Sequence, residues 1–159
     1  MFIDRVRVDS RASNPMSEAQ MEQGSAAPSS PPVVFFVDDD DQLRWTTATI
    51  LRKHDFEVLE AATAEEAVIR VEAFTRRIDV LLMDINLPDG WGATVAQRLS
   101  EIHPEMAVVY TTGFAETDPI LSGGLNDAPY VLRKPFTAHD LLTVLEDAMV
   151  AGPNAGEKE

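Results

Sequence analysis

The chain has 159 residues, 45% of them hydrophobic, which suits one domain with tails and a sizeable core. It has no cysteine, so disulfides, thiolate metal sites and cysteine nucleophiles are excluded. Its formal charge is −14, from 27 acidic against 13 basic residues, a balance that repels nucleic acid phosphates and anionic membranes.

Residues 1–32 are rich in Ser, Ala, Pro, Gln and Met without apolar periodicity and read as a disordered tail. Asp4, Arg5 and Arg7 stand where a secretory signal needs an apolar stretch, and no run is long enough to span a membrane, so the expected location is the cytoplasm. Val33 to Val37 is a short apolar run that predicts a buried strand, and it stops at four consecutive aspartates, Asp38 to Asp41. Leu43, Thr47, Ile50, Leu51 and His54 then recur at helical spacing, with the aspartates at the positive end of the helix dipole. Phe56 to Glu60 predicts a second strand. Thr63 and Glu66 form a capping box for a second helix faced by Ala67, Val68, Val71 and Phe74.

Ile78 to Asp84 predicts the third strand, apolar on both alternate faces and broken by the turn Leu87-Pro88-Asp89-Gly90. Val95, Leu99 and Ile102 mark a third helix that Pro104 stops. Met106 to Thr112 predicts a fourth strand. Asp118-Pro119 opens a short fourth helix, cut off by Gly123-Gly124. Tyr130 to Leu132 predicts a fifth strand, and Thr137 with Asp140 caps a last helix faced by Leu141, Val144, Leu145, Ala148 and Met149. Strict alternation implies an α/β fold, a doubly wound five-stranded parallel sheet with helices on both faces, over residues 33–150, followed by a tail at 151–159. Each tail carries one net negative charge, so −12 of the −14 belongs to the folded domain.

Asp38 and Asp39 follow the first strand, Asp84 ends the third, Thr112 ends the fourth and Lys134 follows the fifth. In a parallel sheet these carboxyl ends share one edge, so three carboxylates, a hydroxyl and an ammonium converge there. Clustered carboxylates need a counter-charge, and a few carboxylates plus the backbone carbonyl of Asn86 and waters suit Mg²⁺. A carboxylate beside Mg²⁺ and a lysine is equipped to attack phosphorus and form an acyl phosphate. Thr112 would donate to a phosphoryl oxygen, and Gly113 leaves space beside it.

Val-Asp-Asp after the first strand, Met-Asp-Ile-Asn-Leu-Pro-Asp-Gly, Thr-Gly-Phe and Lys-Pro-Phe resemble the receiver domain of bacterial response regulators over roughly residues 33–150, with a 22-residue step from Thr112 to Lys134. The resemblance implies a flavodoxin-like fold with strand order 2-1-3-4-5. It also implies that Asp84 accepts a phosphoryl group, Asp38 and Asp39 hold Mg²⁺, Lys134 contacts the phosphoryl group beside a cis bond to Pro135, and Thr112 is a switch hydroxyl. Implied partners are a sensor histidine kinase or histidine phosphotransferase and a downstream protein, with a homodimer as a further option and no nucleic acid or membrane. The chain reads as a stand-alone receiver that accepts and slowly hydrolyses its own phosphoryl group, not as a conventional enzyme. Where the family often has an aromatic three residues before its lysine, Val131 stands, and strand alternation turns Tyr130 to the other face.

The rival reading is a Mg²⁺-dependent phosphohydrolase resembling haloacid dehalogenases, with Asp38 of Asp38-Asp39-Asp40 as nucleophile. That motif wants Thr or Val where Gln42 stands, and no cap insertion is evident. His54, His103 and His139 are too scattered for a metal cluster, and Trp45 lies off the apolar stripe of its helix, either exposed for docking or folded back on a neighbour.

Overall fold

The computed structural model describes residues 30–113 and 130–153. The chain divides into Met1–Ser30 and Pro31–Glu159, and all the elements below belong to the second unit. In order they are β1 Val33–Val37, α1 Asp41–Lys53, β2 Glu57–Ala61, α2 Ala64–Ala73, β3 Val80–Asp84, β4 Asn86–Leu87, β5 Gly90–Trp91, α3 Gly92–Ile102, β6 Ala107–Thr112, β7 Val131–Arg133 and α4 Ala138–Ala151. The short fourth helix expected after Asp118 falls outside the described residues.

β2, β1, β3, β6 and β7 hydrogen-bond in that order, every pair parallel. With the small β4–β5 hairpin set aside, this is the 2-1-3-4-5 order that the resemblance implied. β1 and β3 are buried along their whole length, as strands covered on both faces must be. Alternation divides their side chains between two cores. Val33, Phe35, Val37, Leu81 and Met83 join Ala67 and Val71 of α2 and Leu99 of α3. Val34, Phe36, Val80 and Leu82 join Leu51 of α1 and Leu141 and Leu145 of α4. Phe35 and Phe36 are both fully buried, so truncating either to Ala should cost about 3–5 kcal/mol.

Helix starts follow local chemistry. Asp40 caps α1 by accepting from the Leu43 amide, which gives one member of the aspartate run an ordinary role. Thr137 and Asp140 form a complete capping box on α4. At α2 the box is altered: Thr63 accepts from the Glu66 amide, but Glu66 Oε2 takes the Ala62 amide instead of that of Thr63. Asp55, at φ 64°, ends α1 in the left-handed region that aspartate tolerates. The inward stripe of α1 centres on Thr47, Ala48 and Leu51, while the expected member His54 is exposed. Among the described residues no helix is long and apolar enough to cross a membrane.

Candidate functional site

The register of the sheet builds the site. Val37 pairs with Met83, so Asp38 and Asp84 leave β1 and β3 side by side, and Asp84 pairs in turn with Thr111. Thr112 pairs with Arg133, which delivers Lys134 one step beyond, and the Lys134 amide donates to the Thr112 carbonyl at 2.8 Å. Strand ends far apart in sequence thus meet at one edge of the sheet.

Asp38 is fully buried, Asp84 is 6% exposed and Asp39 is exposed. Carboxylate oxygens from these three lie within 4.8 Å of one another. Lys134 Nζ sits 3.0 Å from Asp84 Oδ2 and 2.8 Å from Asp38 Oδ2. The other oxygens are held by backbone: the Asn86 amide donates to Asp84 Oδ1 at 3.0 Å and the Asp40 amide to Asp38 Oδ1 at 2.8 Å. Asp38 Oδ2 is different. It touches the Lys134 ammonium, but along a direction that makes no hydrogen bond, and receives no donor.

Burial is the main influence on Asp84 and lifts its carboxyl above the ordinary range, against the Asn86 amide and the Lys134 ammonium; the Asp38 charge acts with burial. For Lys134, burial works to lower the value, yet the carboxylates of Asp38 and Asp84 beside it outweigh burial and raise it. Three carboxylates, two of them buried, against one ammonium leave excess negative charge at this edge of the sheet. An all-oxygen donor set with one buried carboxylate oxygen that has an ion pair but no hydrogen bond, and one solvent-facing carboxylate, fits a hard divalent cation such as Mg²⁺. Asp38, Asp39, Asp84 and the Asn86 carbonyl are the groups that would hold it.

Residues that the motifs did not single out hold this geometry. Arg44 Nη1 donates to the Asp38 carbonyl at 2.7 Å and so ties the acidic loop to α1. The Gly92 amide donates to the Ile85 carbonyl at 2.7 Å, and a Cβ at Gly92 would fall 2.2 Å from the Asp84 carbonyl oxygen. Only glycine permits α3 to start this close to Asp84. The Asp89 carboxylate accepts from the Ala64 and Glu65 amides at 2.8 and 3.1 Å. The Arg44 contact could not have been read from spacing alone; the Gly92 position, next to an aspartate-bearing turn, carried a weak signal.

Thr112 is buried at the end of β6, and the Lys134–Pro135 peptide is cis, as the resemblance implied. Tyr130 lies on the α4 side of the sheet, in the second core, and its hydroxyl donates to the Asp147 carbonyl at 3.4 Å, on the face that alternation assigned to it. Trp45 is 69% exposed, so it does not fold back onto a neighbour. Asp38 as a nucleophile is disfavoured by its complete burial, whereas Asp84 retains some exposure.

A family model described as the response regulator receiver domain matches residues 34–146. The response regulator receiver protein CpdR of Brucella abortus (strain 2308) is 36% identical over 75 residues, 45% of this chain and 60% of CpdR. The sensor kinase CckA of the same strain is 28% identical over 100 residues, which are 62% of this chain but 10% of the kinase. The chain therefore spans less than two thirds of either relative. Among solved structures, a CheY-like response regulator receiver domain protein from Methanospirillum hungatei JF-1 superposes with a TM-score of 0.65 at 29% identity, covering 76% of this chain and 95% of that one.

Proposed function

The chain belongs to the response regulator receiver family, and from that premise we propose that Asp84 accepts a phosphoryl group from a phosphohistidine of a sensor kinase or histidine phosphotransferase. The observation that carries this reading is the meeting of Asp38, Asp39 and Asp84 within 4.8 Å, with the Lys134 ammonium on two of them. An Asp84 carboxylate oxygen attacks phosphorus, the phosphorus–nitrogen bond breaks, and the acyl phosphate forms as the electron pair leaves with the imidazole. Lys134 neutralises charge on the phosphoryl oxygens, and Thr112 donates a hydrogen bond to one of them. Asp38 and Asp39 would hold Mg²⁺ with Asp84 and the Asn86 carbonyl, and the cation would supply further neutralisation of the same developing charge. Water later hydrolyses the acyl phosphate slowly, so the protein is a phosphorylated switch in the cytoplasm and not a conventional enzyme. Its product is an altered surface that a downstream protein or a second copy of the chain reads.

The test is intact mass after incubation with acetyl phosphate and Mg²⁺, wild type beside Asp84→Asn. A phosphoryl adduct is expected on wild type only. Labelling that survives Asp84→Asn but is lost in Asp38→Asn would replace this reading with the hydrolase one.

A further inference from the structure

We propose that Asp89 is a positioning residue for Asp84: its carboxylate clamps the hairpin that follows the phospho-acceptor to the start of α2, and so sets the cation affinity and phosphorylation rate of the site. The proposal rests on the reading of Asp84 given above. The β4–β5 hairpin begins two residues after Asp84, and its first residue, Asn86, both donates its amide to Asp84 Oδ1 and offers the carbonyl assigned to the cation. At the base, the Gly92 amide closes onto the Ile85 carbonyl, where no Cβ would fit. At the tip, Asp89 reaches a helix 24 and 25 residues earlier in the chain and accepts from two of its first-turn amides.

That helix already has its own cap, because Thr63 accepts from the Glu66 amide. Thr63 takes that amide, and Asp89 takes the Ala64 and Glu65 amides that water would otherwise serve at this end of the helix. What a distant carboxylate adds is a fastening. Two hydrogen bonds to charged oxygens fix the tip just as Gly92 fixes the base, so Asn86 between them has little freedom relative to Asp84. The Asp89 side chain is exposed, so its removal takes away the fastening without opening the core.

Thr63→Ala is the matched control, since it removes a cap from the same helix end and leaves the hairpin tied. In a Trp45→Phe background, Trp91 in β5 reports on the hairpin by its fluorescence. Asp89→Ala should weaken Mg²⁺ binding about tenfold, the scale usual for groups that orient metal ligands. It should also slow labelling by acetyl phosphate and speed amide exchange at residues 86–91. Thr63→Ala should lower the melting temperature yet leave Mg²⁺ binding within about twofold. Asp89→Asn, which keeps one acceptor oxygen, should fall between wild type and Asp89→Ala and serves if the alanine variant does not fold. Equal Mg²⁺ binding and hairpin exchange in Asp89→Ala and Thr63→Ala would reduce Asp89 to a helix cap and overturn the proposal. If wild type itself takes no phosphoryl group, the reading of Asp84 fails, while Mg²⁺ binding and amide exchange still decide on the clamp.

Discussion

At the carboxyl end of the sheet a single ammonium, Lys134, faces Asp38 and Asp84 in a buried pocket with Asp39 at its rim. Along the edge strand β2 the charges are arranged otherwise: Arg44 and Arg52 flank Glu60, and Arg70 pairs with Glu66, around a cavity of about 360 Å³. There the arginines are half exposed at Arg52 and Arg70, positive and negative groups nearly balance, and Arg52 also covers the Val58 carbonyl on the open edge of the sheet. The edge network places every charge next to its opposite in reach of water. The mouth gathers like charges and buries two of them, Asp38 and Asp84, which no fold needs for its own stability. Charge held against its own solvation is the better marker of a functional site.

Replacing Lys134 by Met gives the largest expected change. It leaves Asp38 and Asp84 buried without their cation, and the fold should lose about 3 kcal/mol in urea titrations without Mg²⁺. Asp84→Asn added to Lys134→Met should return a large part of that loss, a coupling that a double-mutant cycle measures. A Lys134→Met protein as stable as wild type would erase the difference between the two regions.

Asp84→Asn alone should raise stability by about 1–2 kcal/mol at neutral pH while abolishing labelling. The sign follows from the carboxyl's position above its ordinary value. When both folded and unfolded forms are protonated there is no penalty; as pH rises from the ordinary aspartate value through the folded one, ionised Asp84 increasingly disfavours the fold. The gap between variant and wild type should therefore close as pH falls towards the ordinary value. A gap that widens on acidification would reverse the assignment. Asp89 runs the other way, since the Ala64 and Glu65 amides hold its carboxyl below the ordinary range, and its contribution fades as pH falls.

These contrasts were only partly legible in the sequence. Strand ends were, because apolar runs that stop at Asp38, Asp84 and Thr112 are local patterns, and parallel topology then brings them together whatever lies between. The β4–β5 hairpin was not, because two-residue strands have no period to detect and Leu87-Pro88-Asp89-Gly90 reads equally as a plain turn. The partner of Asp89 was hidden for a related reason: a capping residue is sought next to its helix, not two dozen residues away. The Glu66 side chain kept its capping role but shifted by one amide, a change of reach that spacing cannot register. Thr111 was passed over in favour of Thr112. Its fully buried hydroxyl has no hydrogen-bond partner among the described residues, so Thr111→Val should be neutral or stabilising by up to about 1 kcal/mol.

The smallest effect belongs to the edge. Glu60→Gln removes the shared partner of Arg44 and Arg52, but Arg44 keeps its bonds to Asp38 and Asp41, and Arg52 stands half in solvent. The expected cost is about 0.5 kcal/mol in low salt, and it should vanish in 1 M NaCl, where screening acts within about 3 Å. The loss in Lys134→Met should persist under the same salt, because screening acts on charges in reach of water and Asp38 is fully buried. Salt thus separates the two clusters more cleanly than either substitution does. If Glu60→Gln retains its full cost in 1 M NaCl, the edge network is as sequestered as the mouth, and burial no longer distinguishes the two clusters.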